Sequence, residues 1–146
     1  MAFYRDLNAL TPLTKSTLTD DEVIYQSVYH LLDTRSGERL FVPEFCIDMD
    51  DTIFDLATDE TALDLFRKIT SALEMYEPRV KIDYSKTNVV PDVSSNSYSV
   101  QLVFSIISNS SSDNVYTISG TLKRYGYIWH SSSIQLLFQE NQSRTK

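Results

Sequence analysis

Cysteine is nearly absent: Cys46 is the single one in 146 residues. That excludes an internal disulfide and a cysteine-built zinc site, and a lone thiol suits a reducing compartment. Positive charge is also short, with 13 Lys and Arg against 20 Asp and Glu and a net charge of −7. Such a surface repels a phosphate backbone, and no basic stripe with interleaved aromatics offsets it, so nucleic acid is not an expected partner. No apolar run approaches the roughly 20 residues of a membrane-spanning helix, so no membrane is expected either. The opening residues Met1-Ala2-Phe3-Tyr4-Arg5-Asp6 lack the basic-then-apolar order of a signal peptide. His30 and His130 lie far apart without metal-ligand spacing, so no metal or cofactor is expected.

What is present reads as one domain, because a chain of this length buries roughly 70% of its unfolded surface. Residues 1–18 show no period and read as an arm or loop. Thr19 or Asp20 then caps an amphipathic helix over residues 20–32, with Val23, Ile24, Val28, Leu31 and Leu32 on its apolar face. Gly37 supplies the turn that follows, and residues 40–45 read as extended because Pro43 biases Val42 away from helix. Asp50 or Asp51 caps a short helix carrying Ile53, Phe54 and Leu56. Thr58, with Thr61 at the capping-box position, opens a long helix over residues 59–76. Ala62, Leu65, Phe66, Ile69, Ala72, Leu73 and Tyr76 form its stripe, and Pro78 stops it.

After Arg79 the period changes from 3.6 to 2. Val80, Ile82 and Tyr84 begin a strand that extends towards Val90, and residues 91–96 form a turn. Residues 98–106 alternate cleanly, residues 109–114 are a loop, and residues 115–123 are another strand. Tyr125-Gly126-Tyr127 reads as a turn, and residues 134–138 as a fourth strand or a tail. Helices first and strands second predict an α+β fold, N-terminal helices packed on a C-terminal antiparallel β-meander of three to four strands.

The acidic stretch Ile47-Asp48-Met49-Asp50-Asp51-Thr52 resembles the nucleophile loop of haloacid-dehalogenase-like, magnesium-dependent phosphatases. That resemblance makes Asp48 the nucleophile and Asp50 the acid/base. Against it, such a fold needs a buried parallel strand before the loop and alternating βα units after it, where this sequence has Pro43-Glu44 and a meander. A lysozyme-like glycosidase, with Glu44 and Asp48, Asp50 or Asp55 as the carboxylate pair, is a further alternative. Cys46 reads as a small core residue, and Trp129 as core or interface.

Thr34, Gly37, Arg39, Pro43-Glu44-Phe45, Asp48, Ile53-Phe54 and Glu77-Pro78-Arg79 stand in this order along residues 34–79. The ordered set resembles the baseplate wedge and tail-sheath initiator family of contractile-tailed bacteriophages, once described as lysozyme-like and related to a type VI secretion baseplate component. Looser similarity runs on through the strands and covers roughly three quarters of the chain. Cys46 departs from the family, which has glycine there, and residues 125–146 look like an extension. The resemblance implies a single wedge domain over residues 1–146 and a structural, non-enzymatic role in the virion tail baseplate, assembled in the host cytoplasm. It implies other baseplate wedge proteins and the tail sheath protein as partners. Glu77, Pro78 and Arg79 would dock on the wedge core bundle, and Arg39, Pro43, Glu44 and Phe45 would support that interface or its turn. The bland alternatives are that Glu77 and Arg79 form an exposed ion pair and that Arg39 pairs with Glu44.

Overall fold

The computed structural model describes residues 5–7, 17–107 and 115–131. Two short strands open it, β1 (Arg5–Leu7) and β2 (Thr17–Thr19), paired antiparallel. Three residues each are too few to show a period, which is why this region read as an arm. Helix α1 (Asp21–Asp33) follows. Asp20 holds its N-cap position at φ 51°, but the side chain makes no capping bond. The Asp20 carbonyl instead accepts from the Val23 and Ile24 amides, at 3.1 and 3.3 Å. Ile24, Tyr25, Val28, Leu31 and Leu32 are buried. Gln26 is buried among them because its Nε2 donates to the Leu7 carbonyl at 2.9 Å and to Asp6 Oδ2 at 3.3 Å, tying β1 to the helix.

Helix α2 (Asp50–Phe54) has Met49, not Asp50 or Asp51, at its N-cap position. Both aspartates lie in its first turn, where the helix dipole favours them. Of the three apolar residues expected to pack here, Ile53 is buried while Phe54 and Leu56 are exposed. Helix α3 (Asp59–Tyr76) carries the predicted capping box. The Thr61 amide donates to Thr58 Oγ1 at 3.3 Å and the Thr58 amide to Thr61 Oγ1 at 2.9 Å, an arrangement worth about 1 kcal/mol. Ala62, Leu65, Ile69 and Leu73 are buried along one face, with Phe66, Ala72 and Tyr76 partly covered beside them.

The main sheet has five strands rather than three to four: β3 (Val80–Ile82), β4 (Asn88–Asp92), β5 (Ser97–Ile106), β6 (Val115–Lys123) and β7 (Gly126–Ser131). Every pairing is antiparallel, so the α+β reading stands. The order is β3-β5-β6-β7, with β4 also on β5. Because β6 runs along the other side of β5, strands β3 and β4 lie end to end on one edge. The sequence had suggested one strand there. The chain leaves the ladder at residues 83–87, where the Ser85 amide and hydroxyl bond Asp83 Oδ1 at 3.1 and 2.6 Å. Thr87 Oγ1 then takes the place of backbone: it accepts from the Val103 amide at 3.1 Å and donates to the Val103 carbonyl at 3.2 Å. Pro91, expected in a turn, lies inside β4, which an edge strand tolerates because one side needs no N–H donor. The turn is residues 93–96.

Tyr98, Val100, Leu102, Phe104 and Ile106 line the core face of β5 as their alternation predicted, joined by Tyr116, Ile118 and Leu122 of β6. Tyr25, Phe104 and Tyr116 cluster with ring centroids 6.0, 5.8 and 5.9 Å apart. Tyr98 OH donates to Thr61 Oγ1 at 2.9 Å, joining the sheet to the α3 cap. The turn after β6 is Arg124-Tyr125, and Gly126 already belongs to β7. On β7 the Trp129 ring lies directly over Gly120, where a Cβ would overlap its Cε3. Trp129 is thus largely buried. The loop expected at residues 109–114 and the strand expected at 134–138 lie outside the described residues.

Candidate docking site

The corner Glu77-Pro78-Arg79 joins α3 to β3. The Glu77 amide donates to the Leu73 carbonyl at 2.9 Å, closing the helix, and the Arg79 carbonyl accepts from the Ile107 amide at 2.8 Å, starting the sheet. Glu77 is buried, with only 3% of its surface exposed. That overturns the simple exposed pair. Arg79 grips the carboxylate through two prongs, Nε to Oε1 at 2.5 Å and Nη2 to Oε2 at 2.7 Å. A buried carboxylate needs such a fork, and the fork in turn fixes where the guanidinium lies. Pro78 is exposed at the bend between them.

Residues 34–49 fold back on this corner. Gly37, at φ 80°, takes a left-handed conformation that glycine adopts freely. Its amide donates to the Pro43 carbonyl at 3.2 Å and closes the loop. Residues 40–45 are consequently turns, not the extended segment that Pro43 suggested. The half-buried Phe45 ring meets Tyr76 edge-on at 4.9 Å, and the Arg39 guanidinium lies over the same ring, 4.1 Å from the centroid. Tyr76 OH donates to the Glu44 carbonyl at 2.8 Å. Arg39 therefore stacks on Phe45 and does not pair with Glu44. The stack Arg39–Phe45–Tyr76 brings the Pro43-Glu44-Phe45 loop to the residue just before Glu77. Tyr76 is the member that sequence reasoning missed; its place as the last residue of α3, next to the corner, was the available signal. Beside Arg39 lies an open cleft of about 460 Å³, lined by Asp6, Ser27, His30, Thr34, Glu38, Arg39 and Phe45.

The acidic stretch takes another form than a nucleophile loop. Ile47 and Met49 are buried, so Asp48 faces outward between them. Asp50 accepts from Tyr127 OH. Burial, and then that hydrogen bond, push the Tyr127 phenol above its ordinary 10. Arg35 covers the Tyr127 ring at 4.7 Å. Thr52 is engaged by Asp64 at 3.1 Å and Lys68 at 2.8 Å. No parallel strand precedes the stretch among the described residues, and no βα unit follows it. Among those residues no group of three or more His, Cys, Asp or Glu is placed to hold a metal ion.

The two edges of the sheet differ. One, formed by β3 and β4, is interrupted by residues 83–87 and carries Pro91. The other is β7, which pairs with β6 alone among the described residues. Strand β6 is interior for residues 118–123, where β5 and β7 flank it. Ile128 and His130 are exposed on β7.

Known proteins resemble this chain in sequence and in fold. The family model described as baseplate wedge protein gp25 matches residues 19–110, which include the Glu77-Pro78-Arg79 corner and the loop packed beside it. Baseplate wedge protein gp25 of Enterobacteria phage T4 is 40% identical over 86 residues, covering 59% of this chain and 64% of that protein. The chain thus matches less than two thirds of that relative's length. A crystal structure from Geobacter sulfurreducens, of a protein described as a tail lysozyme, aligns with a TM-score of 0.58 at 19% identity, covering 70% of this chain and 89% of that one. At that identity the likeness carries the fold alone, and the lysozyme name stays with that protein. The anti-feeding prophage baseplate contains a chain aligned at TM-score 0.46 and 18% identity, covering 84% of this chain and 82% of that one, too loose to carry an argument.

Proposed function

Because the chain belongs to the baseplate wedge protein gp25 family, with its place in the virion tail baseplate, we propose that it is a non-enzymatic connector between wedge and sheath. Its Glu77-Pro78-Arg79 corner docks on other wedge proteins, and its β7 edge receives a strand of the tail sheath protein. The observation that carries the docking half is the two-pronged grip of Arg79 on buried Glu77 at a proline bend. A guanidinium fixed in this way is suited to a charge-assisted contact with a partner carboxylate or the carbonyls at a helix C-terminus. The strand-addition half is supported by the difference between the edges: β7 offers a continuous strand, whereas β3 and β4 are broken. An added strand would gain main-chain hydrogen bonds there, with register set by alternate side chains.

Arg79→Ala is a poor test, because it strands a buried carboxylate; with Arg79 about one third exposed, a cost of about 1–3 kcal/mol is expected. Arg79→Lys keeps the charge and loses the fork, and the double change Glu77→Ala with Arg79→Ala removes both charges. Both should fold and should enter wedges at least tenfold less well. Normal incorporation of both would leave the corner a helix stop and nothing more. Ile128→Lys on β7 should leave folding intact and slow sheath growth, since an edge lysine blocks strand addition. A magnesium-dependent phosphatase assay should give no turnover that Asp48→Asn removes.

A further inference from the structure

The loop that carries Arg39 ends in an apolar tip. Leu40, Phe41 and Val42 are consecutive and all exposed, Phe41 at 99%. Phe41 also holds φ 71°, a left-handed conformation that a bulky residue rarely adopts. Nothing in the described fold repays that strain, because the ring has essentially no packing. The stalk beneath is well held. Beyond the Gly37–Pro43 closure, the Phe45 amide donates to the Val42 carbonyl at 3.1 Å and the Arg35 amide to Glu38 Oε2 at 2.8 Å. Arg39 and Glu44, on either side of the tip, are fixed by the Phe45 ring and by Tyr76 OH. An exposed apolar cluster and a strained backbone on a rigid base both mark a contact surface.

We infer that Leu40, Phe41 and Val42 form a preformed plug that seats in an apolar pocket of another baseplate wedge protein. The inference rests on the docking reading above. Continuity selects the partner: the Arg39–Phe45–Tyr76 stack runs from the stalk to the residue before Glu77, so a protein bound at that corner meets the tip. A lipid surface is the competing occupant of an apolar tip. The net charge of −7 and the lack of a basic stripe disfavour an anionic one.

Phe41→Gly tests the plug, because glycine accepts the positive φ and removes only the ring. The full chain would be co-expressed with the remaining wedge proteins of its own baseplate, and assembled wedges quantified. Phe41→Gly should melt no lower than wild type and assemble at least tenfold less well, while Phe41→Leu should retain most of the assembly. Wild-type assembly by Phe41→Gly overturns the plug. So does binding to phosphatidylcholine vesicles that Phe41→Gly abolishes while wedge assembly stays normal. Arg79→Lys, with the tip intact, reports on the corner alone. Loss by Arg79→Lys with none by Phe41→Gly sinks the plug and keeps the corner; the opposite pattern sinks the corner and keeps the plug.

Discussion

Helix α3 with its sheet, and the segment between α1 and α3, hold their shapes by different means. The first buries Leu65, Ile69 and Leu73 against Val100, Leu102 and Phe104, each of them almost wholly covered. The second contains one five-residue helix, sends Ile47, Met49, Ile53 and Ala57 into the core, leaves Leu40, Phe41, Phe54 and Leu56 in water, and is otherwise fixed by single contacts. Tyr76 OH holds Glu44, Asn96 Oδ1 accepts from the Ala57 amide at 2.8 Å, Arg124 Nη2 reaches the Phe54 carbonyl at 3.1 Å, and Tyr127 reaches Asp50. A region made by periodic burial folds from its own pattern. A region made by single contacts takes its shape from what surrounds it, and its exposed side chains are available to a partner.

Three substitutions would sharpen or break this contrast. Phe104→Ala should cost about 3–5 kcal/mol in urea unfolding, because it empties the centre of the Tyr25–Phe104–Tyr116 cluster. Phe45→Ala, which removes the ring that both Arg39 and Tyr76 contact, should cost only about 1–2 kcal/mol. If it costs as much as Phe104→Ala, the loop around Phe45 is held by burial as the core is, and the contrast fails. Tyr127→Phe should cost about 1 kcal/mol at neutral pH through the lost bond to Asp50. Its sign with pH is fixed. The phenol is held above 10 in the folded chain, so its contribution is complete below that value and declines as pH rises past it. Wild type and variant should therefore converge in strongly alkaline solution; a constant gap there would mean that Tyr127 titrates normally.

The same contrast decides what was legible in the sequence. The Thr58–Thr61 box, the α3 stripe and the alternation of β5 are local patterns, and each lies within a residue or so of its expected place. The turns of residues 40–45 were not legible, because Gly37 and Tyr76 close them from outside the segment. The break at residues 83–87 depends on a Thr87 side chain acting as backbone towards a residue 16 positions away. Glu77 reads as a surface residue at a helix end; only the return of Arg79 around Pro78 makes its burial possible. The site residues stood in order along the chain, but that Phe45 meets Tyr76 and Tyr127 meets Asp50 had no local signature.

Trp129 is the chain's one tryptophan, and it lies on β7, at the edge of the sheet among the described residues, with its ring pressed on Gly120. Its fluorescence is thus an unlabelled optical reporter for a single place. Shielded indole emits to the blue of solvated indole. Peeling β7 from β6 would move that band to the red. A strand laid alongside β7 would leave it blue and reduce its access to a dissolved quencher such as iodide. Opening of this edge and its occupation by another chain can therefore be told apart in a cuvette.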